Sequence, residues 1–400
     1  MKKTIYIALS IVILAGCNDD NLTDSGIPFQ ITVLSQTGIP VEDATVEGGF
    51  DWTFYRVQTN AAGVATLPGT ARGERAVIYK TNFLPVIISI ITPNQYTLNE
   101  TSRKLNLIGS VSGKAIRFRQ NELITLDYGG TYHLYSYNDQ SISETFNRHL
   151  HDSATAIQEI QLFGDTLWFT THNSGVFVFS IQNPSSPMFL FQLPVSGYLG
   201  PFVVKDSILV LGDQWNPGPL RIMVYNPSGE FRELSRIENY FVRKMTRIDD
   251  AIILLGNYEC LPTIFDISNP SSPILLYNGL EWEYQTGFFY NHLTILTPKS
   301  GEYSGSSMRL VYKVLDLSNP ANPSLKYPVA ADSWITGVVS DSFAFGNYYF
   351  HTQTVSVLRG SISSSFQTVA TVSENTIDGV GGAYPPFFII GGRLWKLVDR

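Results

Sequence analysis

The chain has 400 residues, of which 15% are charged and 13% aromatic, and a formal net charge of −7. That length calls for several domains or a repeat to bury the apolar residues, and a Phe- and Tyr-rich, charge-poor composition belongs to a folded β-rich chain, not a disordered one. The acidic balance, about −9 once Lys2 and Lys3 leave with the leader, excludes the basic footprint that nucleic acid requires.

The chain opens "MKKTIYIALSIVILAGC". Two lysines precede an apolar run from about Ile5 to Ala15, too short to span a bilayer as a helix, which is the layout of a secretory leader. Leu14-Ala15-Gly16-Cys17 resembles the lipobox of bacterial lipoproteins, which implies that Cys17 is acylated, becomes the N-terminus and holds the protein to the membrane. With Asn18 rather than Asp next to it, the outer membrane of a Gram-negative cell is the expected location. Acylation of Cys17 leaves Cys260 as the remaining thiol, so no intrachain disulfide is expected, and Cys260 reads as a small buried hydrophobe. Residues 18–27 are polar and aperiodic, a tether; the acids in it fit no calcium loop.

From residue 28 to 98 short alternating strands are separated by polar turns ("FQITVLS", "WTFYRVQT", "VATLPG", "RAVIYK"). Gly38-Ile39-Pro40-Val41-x-x-Ala44-x-Val46 and Thr59-Asn60-x-x-Gly63-Val64-Ala65 resemble the carboxypeptidase-regulatory-like domain. That resemblance implies a small transthyretin-like β-sandwich acting as a spacer or adhesive module without catalysis. The polar stretch "TPNQYTLNETS" around residue 100 reads as the break to the next domain.

Over residues 103–400 an apolar run broken by a polar pair recurs, with turns near residues 121, 165, 206, 250, 291, 341 and 391, about 41 to 50 residues apart. A repeat of that length with four short strands is a β-propeller blade. The hexapeptides "QNPSSP" (182–187), "SNPSSP" (268–273) and "SNPANP" (318–323), with a weaker "YNPSGE" at 225–230, follow apolar strands. Asn before Pro is driven to extended backbone and Pro cannot donate to a ladder, so the hexapeptide is expected to end a third strand and open an outermost fourth. The string "TIFDISNPSSP" resembles the LVIVD-repeat propellers, which implies a surface or periplasmic propeller with no catalytic residue to carry over. The expected fold is therefore all-β, a small β-sandwich followed by a β-propeller of seven blades, or six with a C-terminal cap. The seventh hairpin, "IIGGRLWKL", leaves a blade incomplete, and "RKLNLIGS" (103–110) is the expected donor.

No Gly-x-Ser-x-Gly, His-Glu-x-x-His or phosphate-binding loop is present. His149 and His151 have ligand-like spacing but lack the third ligand that zinc needs. Glu281 and Glu283, flanking Trp282, have a spacing compatible with glycoside hydrolysis, which is the alternative enzymatic reading. That alternative is a propeller enzyme, glycoside hydrolase or lyase-like, acting on an extracellular polymer; no cofactor is expected. The leading expectation is a lipid-anchored, monomeric envelope protein that binds a protein or glycan. Links between blades carry Tyr198, Tyr240, Trp282, Tyr284 and Trp334, and second-to-third-strand loops carry Trp215, Tyr258 and Tyr303. These aromatics are expected at one face, as a binding ring or as wedges between blades.

Overall fold

A computed structural model describes residues 28–399 apart from 49–54, 72–74, 90–94, 198, 214–217, 241, 256–261, 279–283, 299–301, 305–306, 327–328, 332–333, 341–342, 348–353, 361–364 and 374–379. The chain divides into two compact units, Met1–Glu100 and Thr101–Arg400. Among the described residues it is all β, apart from a 3₁₀ turn at Gly69–Ala71. Cys17, the tether and Cys260 lie outside the described residues.

In the first unit Phe29–Ser35 pairs with Val64–Leu67 on one side and Gln95–Leu98 on the other, while Tyr55–Gln58, Thr45–Gly48, Arg75–Tyr79 and Val86–Ser89 form a second sheet. Ile31 and Val33 from the first sheet meet Val46 and Ile78 from the second in one core that also takes Val41 and Ala44. Burying each Val or Ile contributes about 1.5–3 kcal/mol. The two glycine strings are turn chemistry. Gly38 (φ +78°) and Gly63 (φ +71°) are left-handed, and a Cβ on Gly63 would stand 2.5 Å from the Val33 carbonyl oxygen. Thr59 donates through Oγ1 to the Val41 carbonyl at 2.6 Å and accepts the Ala44 N–H at 2.8 Å. Asn60 Oδ1 accepts from Ala62 and Val64, an Asx turn.

The stretch read as the domain break is partly a strand. Gln95–Leu98 pairs in parallel with Thr32–Ser35, and Leu98 is fully buried in the core. The strand's inward face is only Tyr96 and Leu98, alternating with exposed Gln95 and Thr97, so the apolar signal is two residues long.

In the second unit the strands come in antiparallel groups of four. Lys114–Arg119, Glu122–Leu126, Thr131–Tyr137 and Ile142–His149 form the first, and the groups over 157–193, 199–240 and 244–278 repeat its order. Between 284 and 373 two groups are fused. The fourth strand of the earlier one is split into Ser324–Leu325 and Val329–Ala331, both paired with Ser307–Asp316, and Ala330–Ala331 also pairs with Ser365–Phe366. Lys114–Arg119 touches Ile157–Phe163, which touches Leu199–Lys205, which touches Lys244–Ile248; Tyr284–Tyr290 touches Trp334–Ser340, then Val380–Tyr384, which returns to Lys114–Arg119. Middle strands are buried on both faces and read as continuous apolar runs such as Val176-Phe177-Val178-Phe179. Adjacent sheets share their cores: Trp168, Val178 and Phe191 pack with Phe202, Leu211 and Met223 of the next.

The hexapeptides stand where expected, between third and fourth strands. In each, the Asn carbonyl accepts an N–H three residues on, from Ser186, Ser272 and Asn322. Asn183 and Asn269 also accept the N–H of Ser185 and Ser271 through Oδ1, so the asparagine closes the turn as well as preceding the proline. At the hexapeptides 268–273 and 318–323 the aspartate of the preceding strand takes the next exposed donor: Asp266 accepts from Ser268 and Asp316 from Ser318. Lys326 and that Ser318 N–H hold the Asp316 carboxyl down at about 2. In the five groups whose third strand runs through such a turn into an unbroken fourth, the pairing of the two slips by one residue, at Leu134/Tyr135, Val178/Phe179, Ile222/Met223, Ile264/Phe265 and Val357/Leu358. A bulge there adds twist and bends the outermost strand away from edge pairing.

The last sheet corrects the reading of the C-terminus. Val380–Tyr384, Phe387–Ile390 and Arg393–Asp399 are its first, second and third strands, and Arg103–Ser110 is its fourth. The donor strand is the expected one, but Gly391-Gly392 is the second-to-third turn rather than the first hairpin. The first hairpin turns at Pro385-Pro386. A diproline lacks the Asn, Asp or Gly that marks the other turns, which is why the reading slipped by one strand.

A cleft at the hairpin end

Antiparallel order places the first-to-second and third-to-fourth turns of every sheet at one end, the hairpin end. The second-to-third loops and the links to the next sheet lie at the other. Of the sequence-predicted aromatics, the described ones belong to the second end: Tyr240 ends its fourth strand opposite Gly218, Tyr284 and Trp334 open first strands, and Tyr303 lies in Glu302–Ser304, paired with Met308. Tyr198, Trp215, Tyr258 and Trp282 lie outside the described residues, as do Glu281 and Glu283. Tyr240 packs edge-on against Phe265 of the following sheet, centroids 5.4 Å apart, and burial raises its pKa. It is a wedge between sheets.

The cleft among the described residues that combines aromatic and amide groups lies at the hairpin end, where closure brings the last sheet against the first. It has a volume of about 450 Å³. Its floor is Tyr137, the last residue of a third strand, whose hydroxyl donates to the Arg119 carbonyl at 2.5 Å. Burial pushes that phenol up to about 12, so it stays neutral at any physiological pH. Phe118 and Phe387 hold the Tyr137 ring edge-on at 5.5 and 4.9 Å. Tyr384, 41% exposed, lies over Phe118 at 6.0 Å and offers its free surface to solvent. Around the aromatics stand amides. Asn121 takes the left-handed turn position at φ +62°. Asn138 Oδ1 accepts the N–H groups of Gln140 and Ser141, and that turn presents Gln140 to the cleft beside Gln120. Lys396 Nζ holds Asp139 at 2.7 Å on the rim. Exposed aromatic surface ringed by neutral donors and acceptors suits stacking on, and hydrogen bonding to, a polyhydroxylated ligand. No reading of the sequence assembled these residues, since they come from opposite ends of the second unit and meet only through closure.

A second constellation sits on the innermost strands. Burial raises the pKa of Glu159, partly offset by Lys114 and Lys244, and burial lowers that of Lys244, partly offset by Glu159. The three strands that carry them are the first strands of separate sheets, so the charges compensate one another across sheets.

The two histidines of the pair have different surroundings. His149 ends a fourth strand and is exposed, whereas the His151 ring lies against Phe177 and Phe189, with centroids 5.2 and 5.5 Å away. Among the described residues no group of three His, Cys, Asp or Glu side chains is placed to hold a metal. A histidine the sequence did not single out, His133, bridges Glu144 at 2.5 Å and Asp127 at 3.4 Å.

Residues 1–18 match the prokaryotic membrane lipoprotein lipid attachment site, and residues 250–279 and 312–330 match the LVIVD repeat. No curated protein matches the chain. Among solved structures it is similar to the β-propeller domain of Myceliophteria thermophila Cps50 (Swd1), at TM-score 0.50 and 9% identity over 74% of this chain and 99% of that one. It is also similar to the computationally designed protein Ika8 (TM-score 0.45, 13% identity, 93% and 100% covered) and to a protein from Lactobacillus plantarum (TM-score 0.44, 10% identity, 90% and 100% covered). The strand order, the LVIVD matches and the likeness to the Cps50 domain make the second unit a propeller-type fold, carried by a chain with a lipoprotein attachment site.

Proposed function

We propose that this chain is a lipid-anchored outer-membrane protein that binds a glycan without turning it over, using the hairpin end of a seven-bladed propeller. The observation that carries the reading is the cleft of exposed Tyr384 among Gln120, Asn121 and Gln140, built where the ring closes. Acylated Cys17 and the tether over 18–27 would keep that ring at the membrane, with the first unit as a transthyretin-like sandwich spacer. The Thr59 and Gly63 turn contacts support the sandwich reading, and the fused strands between 284 and 373, counted as two blades, support seven.

A panel of neutral oligosaccharides, titrated against the full-length protein in detergent micelles, tests this. At least one is expected to bind, and Tyr384→Ala is expected to weaken it about tenfold, the loss of a 1–3 kcal/mol stacking contact being typical of an aromatic platform. Tyr384 is a surface side chain, so the melting temperature should move by no more than a few degrees. Unchanged affinity in Tyr384→Ala would remove the cleft from the site.

A further inference from the structure

A second cleft, of about 380 Å³, lies across the hairpin end of the 199–240 sheet, and it repeats the first in position. Tyr225 ends a third strand and donates its hydroxyl to the Asp206 carbonyl at 2.7 Å, as Tyr137 does to Arg119. Asp206 is left-handed (φ +51°) at the first residue of its hairpin turn, one place before the position that the left-handed Asn121 (φ +62°) takes in the turn of its own repeat. Phe163, 38% exposed, ends the first strand of the neighbouring sheet, as Tyr384 does. Trp168 supports both rings edge-on, 6.4 Å from Phe163 and 5.2 Å from Tyr225.

The two clefts differ in charge. The second has Lys205, Asp206 and Arg247 where the first has amides and, on its rim, Asp139 neutralised by Lys396. Lys205 is spent on an ion pair with Asp250. Arg247, which reaches in from the first strand of the next sheet, has no hydrogen-bond or ion-pair partner among the described residues. A half-buried guanidinium without a carboxylate is set to take one from a ligand in bidentate geometry. The exposed Asp206 carboxylate would repel a plain polyanion and accept the hydroxyls of a sugar.

We propose that this cleft is a second saccharide subsite selective for a uronic acid, with Arg247 on the carboxylate, Asp206 on ring hydroxyls and Phe163 against the sugar face. The proposal rests on the glycan reading of the hairpin end and extends it to acidic polymers.

The test is titration of the full-length protein in micelles with tetragalacturonate and with its methyl ester, which keeps the ring hydroxyls but carries a neutral, methyl-capped carboxyl. The free acid is expected to bind about tenfold more tightly, the difference a charge-assisted bidentate contact supports. Arg247→Gln is expected to bring the two affinities together, and Tyr384→Ala to leave their ratio unchanged. Should Arg247→Gln fail to fold, Phe163→Ala is expected to weaken both oligomers. Equal wild-type affinities, no binding of the free acid, or a ratio that survives Arg247→Gln would overturn the proposal. So would pentaglutamate binding as tightly as the uronate, since that is charge recognition alone. Tyr384-dependent binding of neutral sugars without any preference for the acid would sink this subsite and leave the first cleft standing.

Discussion

Removal of residues 391–400 is expected to abolish the cooperative unfolding transition of the second unit. Arg393–Asp399 lies between Phe387–Ile390 and the donor strand Arg103–Ser110, so its loss strips one ladder from each. It also takes away Leu394, Trp395 and Leu397, all at most 6% exposed, and the Trp395 Nε1 hydrogen bond to the Ile390 carbonyl at 3.3 Å. Transfer of three such side chains alone costs about 5–9 kcal/mol, which is comparable with the whole stability of an ordinary domain, about 5–15 kcal/mol. Arg103–Ser110 would be left with no sheet to join. Near-ultraviolet circular dichroism during a thermal melt is the readout: the truncated chain should show a broad, low-amplitude change. A sharp transition near that of the intact chain would mean that the ring does not depend on closure by the two ends of this unit.

Gly175→Ala is expected to cost about 3 kcal/mol or more, through backbone strain and a steric overlap that nothing flexible relieves. Gly175 opens a third strand at φ +98°, and a Cβ there would sit 2.0 Å from the Leu193 carbonyl oxygen and 3.0 Å from the Val195 nitrogen. Both atoms are backbone, where the fourth strand leaves for the next sheet. Gly130 repeats the device one sheet earlier, at φ +88° with the Ala154 carbonyl oxygen 2.0 Å away. Gly164 supplies the control: φ is +61° at a hairpin turn, and nothing lies within 4 Å of the added Cβ. Gly164→Ala should therefore lose only about 1 kcal/mol, the left-handed penalty. Urea unfolding of the two variants separates the effects, and equal losses would show that the close approach at Gly175 is not rigid.

Much of this architecture is local and so was readable in the chain. Asn-Pro and Pro mark where third strands stop, because they act on their own backbone; the hairpin turns at Asn121, Asp206 and Asn291 are left-handed and use residues that tolerate that conformation. The donor role of 103–110 followed from an incomplete repeat. What escaped depends on contacts distant in sequence or on signals too weak to see. The strand Gln95–Leu98 turns only Tyr96 and Leu98 inward, the diproline turn at 385–386 resembles none of the other turns, and the recurrent bulges change no pattern that composition records. The cleft escaped for the first reason: Gln120 and Tyr384 are neighbours only because the chain closes on itself. The aromatics that the sequence does display prominently include Tyr240, which the fold spends on packing against Phe265.

Hydrogen–deuterium exchange of the full-length protein, with and without a saturating oligosaccharide that binds it, tests the hairpin-end site most directly. Slowed exchange is expected at the two turns of the first sheet, 119–122 and 137–141, and at the 384–387 turn of the last, with the links that carry Tyr240, Tyr284 and Trp334 unchanged. Protection confined to those links would contradict the site at the hairpin end and place the ligand on the opposite end of the ring.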